Sequence, residues 1–128
     1  MNKIKLGFIG GGDNSLIGVV HRIASQMFDK YEIIGGVFNT DWNKNINFSK
    51  TLGLNQDRIY KDIDDLINNE MKLPQSQRIS TISILTPNFL HFPMAKKLIK
   101  KRFNIICEKP LTTSYKEALE LESLNKEY

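Results

Sequence analysis

The chain has 128 residues, of which 41% are hydrophobic and 25% are charged. This is enough for one globular domain with a single hydrophobic core. The only cysteine, Cys107, excludes an intrachain disulfide and favours a reducing, cytoplasmic location. No apolar stretch approaches the roughly 20 residues of a membrane-spanning helix, so no membrane partner is expected.

The formal charge of +4 is concentrated near residue 100. Such a cluster can attract polyanions, or it can be the cation-rich last turn of a helix, where the helix dipole favours Lys and Arg. No aromatic or glycine pattern of an RNA-binding module accompanies it. We therefore expect a helix end and no nucleic-acid partner. The cluster consists of Lys96, Lys97, Lys100, Lys101 and Arg102.

Short β-type runs alternate with helical patterns along the first half of the chain. Residues 4–9 and 31–38 are predicted to be the first and second strands, separated by an apolar helical repeat over residues 17–28. Residues 42–52 predict a second helix, although its asparagines weaken the pattern. Residues 58–60 are compatible with a short third strand.

The alternation continues in the second half. Asp62 is a candidate N-cap for a helix that ends near Met71. Residues 79–85 and 103–107 are the fourth and fifth predicted strands, and residues 91–101 form a helix between them. Ser114 and Glu117 have the spacing of a capping box, which opens a last helix through residue 124.

Strands that alternate with helices imply right-handed crossovers and a parallel sheet covered on both faces. The sequence therefore predicts one α/β domain over residues 1–128, a doubly wound parallel sheet of the Rossmann type. The expected order of the predicted strands is 3-2-1-4-5.

Three polar turns follow predicted strands, at residues 10–15, 86–88 and 108–110. In open parallel sheets the ligand lies outside the carboxyl ends of the strands. These turns are therefore expected to meet at one edge and to form the site.

The first turn has the features of a diphosphate-binding loop. Gly10 and Gly12 occupy the first two positions of G-x-G-x-x-G, where the backbone must approach an anion closely. The third position is Ser15, and the next glycine is Gly18. Either Ser15 tolerates the close approach of the helix, or the loop is longer than usual and Gly18 packs against it.

At the end of the second strand a dinucleotide fold usually has a carboxylate that binds the adenosine ribose. Asn39 stands at this position, and Asp41 lies two residues later. A neutral side chain does not repel a 2′-phosphate, so the sequence permits NADP as well as NAD. Alternatively, Asn39 and Asp41 cap the next helix.

The two later turns have both ordinary and functional interpretations. Thr86, Pro87, Asn88 and His91 can be turn and capping residues. Glu108, Lys109 and Pro110 can simply end a strand, or Lys109 can place a cation beside a reacting oxygen. His21 is interpreted as structural, and no spacing of ligand residues predicts a metal site.

Together these segments resemble the N-terminal domain of the glucose-fructose oxidoreductase, inositol dehydrogenase and MocA group (Gfo/Idh/MocA). The resemblance rests on the turn Gly10–Gly18 followed by Val20-His21-Arg22, on Thr86-Pro87-Asn88-x-x-His91, and on Glu108-Lys109-Pro110-Leu111-Thr112. It implies NAD(P)-dependent oxidation or reduction of a sugar, cyclitol or related polyol, with Lys109 as the catalytic lysine. The residues that the resemblance implies around the cofactor are Gly10, Gly12, Asp13, Asn14, Ser15 and Ile17 at the diphosphate, Asn39 and Thr40 at the ribose, Thr86, Pro87, Asn88 and His91 at the nicotinamide half, and Glu108 and Pro110 at the reactive end.

Members of this family continue into a C-terminal α/β domain that supplies the substrate pocket and a second catalytic residue. We therefore expect this chain to be a fragment or a truncated product that is inactive alone. Its fifth strand and last helix would then leave an apolar surface prone to association. The sequence therefore permits a homo-oligomer. Two alternatives also stay open, a non-catalytic nucleotide-binding or interaction module and an S-adenosylmethionine enzyme, which would give Lys109 no role.

Overall fold

The computed structural model describes residues 2–128, which form a parallel sheet with helices on both faces. The four strands are β1 (Ile4–Gly10), β2 (Tyr31–Val37), β3 (Thr81–Leu85) and β4 (Asn104–Cys107). The five α-helices are α1 (Leu16–Gln26), α2 (Trp42–Thr51), α3 (Ile63–Glu70), α4 (His91–Lys100) and α5 (Tyr115–Glu127). Two 3-10 turns cover Gln56–Arg58 and Asn88–Leu90.

The sheet order is β2-β1-β3-β4, and every pairing is parallel. Leu6 lies opposite Thr81, and Gly10 lies opposite Leu85. The predicted parallel, doubly wound sheet is confirmed. The first, second, fourth and fifth predicted strands are β1 to β4, and they occur in the expected order.

The possible short third strand over residues 58–60 does not form as a strand of the sheet. Ile59 forms one isolated parallel bridge with Gly36, and the Tyr60 amide donates to the Gly36 carbonyl over 3.0 Å. The segment is too short for a ladder, since a 3-10 turn ends at Arg58 and Asp62 already caps α3. The sheet therefore has four strands, and this bridge lies on the outer side of β2.

Each face of the sheet has its own hydrophobic cluster. The larger cluster packs α3, α4 and α5 against one face, and Ile82, Ile84 and Leu98 lie fully buried within it. The smaller cluster joins α1 and α2 to the other face around Leu6 and Phe8. Helices on both faces leave the carboxyl ends of the strands as the open edge of the sheet.

The weakly predicted helix over residues 42–52 is confirmed as α2, and one asparagine helps to explain its stability. Asn45 is fully buried; its side-chain oxygen accepts from the Phe38 amide, and its nitrogen donates to the Tyr60 carbonyl, each over 2.8 Å. Asp41 caps the helix by accepting from the Lys44 amide. Buried polar groups stabilise a fold when their hydrogen bonds are made, as they are here.

Some apolar side chains remain on the surface. The apolar repeat over residues 17–28 forms α1 as predicted. However, two of its side chains, Val20 and Ile23, are not buried and are 50% and 58% exposed. Ile106 on β4 and Leu119 on α5 are also exposed. Within residues 2–128, no helix combines the length and the apolar character needed to cross a bilayer.

Candidate functional site

The polar turns after the strands meet at one edge of the sheet. Gly10 at the end of β1 pairs with Leu85 at the end of β3, and the Glu108 amide donates to the Ile84 carbonyl over 3.1 Å. This confirms the expectation that turns far apart in sequence share one edge. A cavity of about 340 Å³ opens among the ends of β1, β2 and β3; its lining includes Gly10, Phe38, Asn39, Thr40, Thr86 and Pro87.

The turn after β1 depends on backbone conformations that suit glycine. Gly10 and Gly11 have φ values of +83° and +73°, in the region where a Cβ causes strain. A Cβ on Gly12 would lie 2.6 Å from the Phe38 carbonyl oxygen. The loop therefore packs directly against the residue that follows β2, and position 12 has no room for a side chain.

Gly18, not Ser15, allows α1 to pack closely against the loop. A Cβ at Gly18 would lie 2.2 Å from the Gly11 carbonyl oxygen, a distance that packed atoms cannot adopt. Ser15 is the N-cap of α1, and its Oγ accepts a hydrogen bond of 3.0 Å from the Gly18 amide. The structure thus favours the second interpretation from sequence, a longer loop with Gly18 in the packing role.

The start of α1 is suited to an anion. Its first turn holds no acidic residue, so the positive end of the helix dipole is not neutralised by its own side chains. Asp13 and Asn14 are exposed at the tip of the loop, and Asn14 has φ +62°. The chemistry of this loop and helix start fits a diphosphate group.

Arg22 supports the loop from α1, a contact that sequence reasoning missed. Its guanidinium donates to the Gly11 carbonyl and lies 4.9 Å from the centre of the Phe48 ring. The spacing of Gly18 and Arg22 could have indicated this contact. The two residues are one helical turn apart, so they share the face of α1 that meets the loop.

At the end of β2 the two polar side chains have different tasks. The Asn39 side-chain oxygen accepts from the Asp41 amide over 2.9 Å, while the Asp41 carboxylate caps α2. The capping interpretation is therefore right for Asp41. Asn39 and Thr40 line the cavity, and the Asn39 side chain carries no charge.

The turn after β3 is held by a buried histidine. His91 is 1% exposed; its Nε2 lies 2.9 Å from the Thr86 carbonyl oxygen, and its Nδ1 lies 2.8 Å from the Pro110 carbonyl oxygen. Pro87 and Asn88 are exposed, and Thr86 is half-buried. His91 thus contacts the two turns through backbone oxygens, and Thr86 and Pro87 line the cavity.

The turn after β4 carries an exposed lysine next to an anchored carboxylate. Glu108 lies 3.0 Å from Nε2 of His21, whose Nδ1 lies 3.0 Å from the Ser83 hydroxyl. The hydrogen bond from His21 lowers the pKa of Glu108, assisted by the Lys109 backbone and charge. Lys109 follows directly and is exposed at this edge.

Cys107 does not supply a reactive thiolate. Burial, and next to it the negative charge of Glu108, raise the pKa of this thiol to about 11. At neutral pH it is protonated and packs against the larger core cluster. Within residues 2–128 no three His, Cys, Asp or Glu side chains lie close enough together to hold a metal ion.

A larger cavity lies away from these turns. It measures about 610 Å³ and lies between α1, the start of β2 and the end of α2, with a lining that includes Lys3, Arg22, Tyr31 and Leu52. No strand-end turn contributes to it. We therefore place the functional site at the carboxyl edge of the sheet, where the polar turns and the start of α1 converge.

A parallel doubly wound sheet, a glycine turn that opens a helix and a crevice between β1 and β3 define a dinucleotide-binding domain of the Rossmann type. Comparison with known families supports this class. The sequence model of the Gfo/Idh/MocA oxidoreductases, described as an oxidoreductase family with an NAD-binding Rossmann fold, matches residues 4–128. The chain belongs to this family and carries its NAD-binding domain.

Individual relatives agree with the family assignment. The uncharacterized oxidoreductase YfiI of Bacillus subtilis is 29% identical over 122 residues, which cover 94% of this chain and 30% of that protein. A crystal structure of an oxidoreductase from Sinorhizobium meliloti is 35% identical with a TM-score of 0.89, and the match covers 99% of this chain and 35% of that one.

An inositol dehydrogenase homolog from Azotobacter vinelandii has been solved with NAD+ and with NADH and myo-inositol. Both structures are 30% identical to this chain with a TM-score of 0.93, and the match covers 98% of it. The matched region is 32% and 33% of those chains. This chain therefore spans about a third of the length of the relatives that it matches.

Proposed function

We propose that this chain is the dinucleotide-binding half of an enzyme that transfers hydride between NAD or NADP and a sugar, cyclitol or related polyol. The observation that carries the proposal is the convergence of the glycine turn, the start of α1 and Lys109 on one edge of the sheet. The family assignment and the inositol dehydrogenase homolog solved with NADH and myo-inositol support it. A second domain would have to complete the substrate pocket, so we expect the chain alone to be inactive.

The residues of the chain have separable tasks in this proposal. The turn that begins at Gly10 and the amides at the start of α1 would bind the diphosphate, since they offer N–H donors and a positive helix end. Asn39 and Thr40 would contact the adenosine ribose, and Thr86 and Pro87 would lie beside the nicotinamide half. When bound there, the nicotinamide ring would donate or accept the hydride.

Lys109 is the candidate catalytic residue. An ammonium group at this edge can donate a hydrogen bond to a substrate hydroxyl or carbonyl oxygen and stabilise the negative charge that develops there. The Lys109 side chain is exposed in the turn after β4, and in this proposal a substrate held by a second domain reaches it there. Glu108 and Pro110 would set the position of the Lys109 backbone.

Calorimetric titration of the folded chain with NAD+, NADH, NADP+ and NADPH tests the proposal. We expect at least one of them to bind, and a Gly12→Val variant to bind at least about tenfold more weakly, because its side chain would collide with the Phe38 carbonyl and displace the loop. Circular dichroism would establish that the variant is folded. Absence of binding to all four by a folded wild-type sample would overturn the proposal, and tighter binding of S-adenosylmethionine would replace it.

A further inference from the structure

We propose that the two histidines of this chain are positioning residues that hold the Lys109 turn from opposite faces of the sheet. The chain has only His21 and His91. In each histidine, one ring nitrogen contacts β3 or the residue that follows it. The other ring nitrogen contacts a residue next to Lys109. We call this pair of bridges the histidine brace. The inference rests on the proposed function, because it concerns how Lys109 is placed for the reaction.

The first bridge comes from α1. An ionised carboxylate can only accept hydrogen bonds, so Nε2 of His21 must carry the proton that Glu108 accepts. In the neutral ring Nδ1 then accepts from the Ser83 hydroxyl, and both contacts measure 3.0 Å. His21 thereby joins a side chain that is 1% exposed within β3 to the residue before Lys109.

The second bridge comes from α4 on the other face. His91 has its Nδ1 at 2.8 Å from the Pro110 carbonyl oxygen and its Nε2 at 2.9 Å from the Thr86 carbonyl oxygen. A carbonyl oxygen accepts only, so a neutral ring can donate to one of the two and the doubly protonated ring to both. His91 thereby joins the end of β3 to the residue after Lys109.

The two bridges act on one peptide segment. Glu108 and Pro110 flank Lys109, whose own side chain is exposed and is therefore positioned by its backbone. His21 approaches from the face covered by α1 and His91 from the face covered by α4, so the bridges restrain the turn on both sides. Residues that hold a reacting group act through geometry, and small displacements of such a group are costly.

Paired variants separate the bonds to the turn from those to β3. A Gln side-chain nitrogen can occupy the place of Nε2, and an Asn nitrogen the place of Nδ1. His21→Gln therefore keeps the Glu108 bond and His21→Asn loses it, while His91→Asn keeps the Pro110 bond and His91→Gln loses it. Because each histidine is also held by its own helix, the brace predicts that His21→Asn and His91→Gln are the impaired variants, with a looser turn than in His21→Gln and His91→Asn.

The first readout needs no ligand. Backbone ¹⁵N relaxation of the full chain should give Lys109 an order parameter near 0.85 in the wild type, falling to about 0.6 or below in His21→Asn and His91→Gln. Order parameters in β1 and β2 should stay unchanged. If Lys109 stays as ordered as in the wild type in both impaired variants, the inference is overturned, whether or not the chain binds a dinucleotide.

The second readout uses NADH and ADP-ribose, which share the adenosine and diphosphate groups. Because Glu108 and Pro110 are expected at the reactive, nicotinamide end of the dinucleotide, which ADP-ribose lacks, the impaired variants should bind NADH about fivefold more weakly than the wild type, but ADP-ribose within about twofold of it. Equal losses for both ligands would show general destabilisation and overturn the brace. A wild type that binds neither ligand would refute the proposed function instead, and the relaxation measurement would still decide the inference.

Discussion

Asn39 is the residue at which the choice between NAD and NADP can be tested. Asn39→Asp keeps the side-chain oxygen that accepts from the Asp41 amide, so the local turn should be preserved. The new carboxylate lies at the expected ribose position and would repel a 2′-phosphate. We expect NADPH affinity to fall at least about tenfold while NADH affinity is retained.

Fluorescence titration with the two reduced dinucleotides measures this change in preference. Thr40→Ala changes the other proposed ribose contact without adding charge, so as the control it should affect NADH and NADPH equally. Equal effects of Asn39→Asp on NADH and NADPH would show that Asn39 does not lie near the ribose.

Glu108 should make stability depend on pH. Its pKa is lowered from an ordinary value of 4.5, first by the hydrogen bond from His21, so the unfolded chain binds more protons near that pH. The Glu108 contribution to the free energy of unfolding is therefore fully present above about pH 4.5 and lost as the pH falls through the folded-state pKa.

Urea unfolding of the wild type and Glu108→Gln at several pH values measures this contribution. The difference between them should be largest at the higher pH values and should shrink on acidification. In a His21→Leu background the dependence should largely disappear, since the main cause is then removed. A difference that is constant with pH would contradict this assignment of the shift.

A network around Glu70 joins separate elements of the fold. Glu70 at the end of α3 is fully buried and accepts from Arg58 at 2.7 and 2.8 Å, from the Tyr60 hydroxyl, and from the Ile79 amide at 2.7 Å. These donors belong to the 3-10 turn, the segment beside β2 and the approach to β3. Burial, and then the bond to Glu70, raise the pKa of Tyr60, so its hydroxyl stays protonated and can donate.

We expect Glu70→Gln to lower the free energy of unfolding by about 3–5 kcal/mol, because Arg58 is left with an uncompensated charge. Chemical unfolding at low temperature measures the loss. Tyr60→Phe removes a single hydrogen bond from the same site and should cost only about 1 kcal/mol. If Glu70→Gln costs no more than Tyr60→Phe, the network does not join these elements as described.

For the molecule as a whole, dinucleotide binding should appear as added stability. A ligand that binds only the folded chain, at about 100 times its dissociation constant, stabilises it by about 2.7 kcal/mol. We expect calorimetric melting temperatures to rise with NADH concentration and to be unaffected by nicotinamide alone. A dinucleotide that binds by titration but leaves the transition unchanged would indicate binding to the unfolded chain as well.

Exposed apolar side chains should make copies of this chain associate. Ile106 on β4 and Leu119 on α5 are 36% and 45% exposed, so we expect copies of this chain to associate as concentration rises. Sedimentation velocity over a wide concentration range measures this association. Leu119→Lys should weaken it, whereas Lys116→Ala should not, and a wild type that stays monomeric throughout would refute the prediction.

The sequence by itself determined the alternation of strands and helices, the order of the four strands that form and the edge where the turns meet. It could do so because hydrophobic periodicity, capping residues and glycine turns act locally, and because parallel strands place their carboxyl ends at one edge. Tertiary structure alone decided that residues 58–60 form one bridge, that Gly18 packs on Gly11, and that His21 reaches Glu108. The bridge and the His21 contact depend on distances between segments up to 87 positions apart, which no local pattern encodes. At the glycine turn the sequence left Ser15 and Gly18 as alternatives, and the close approach of the helix to Gly11 decided between them.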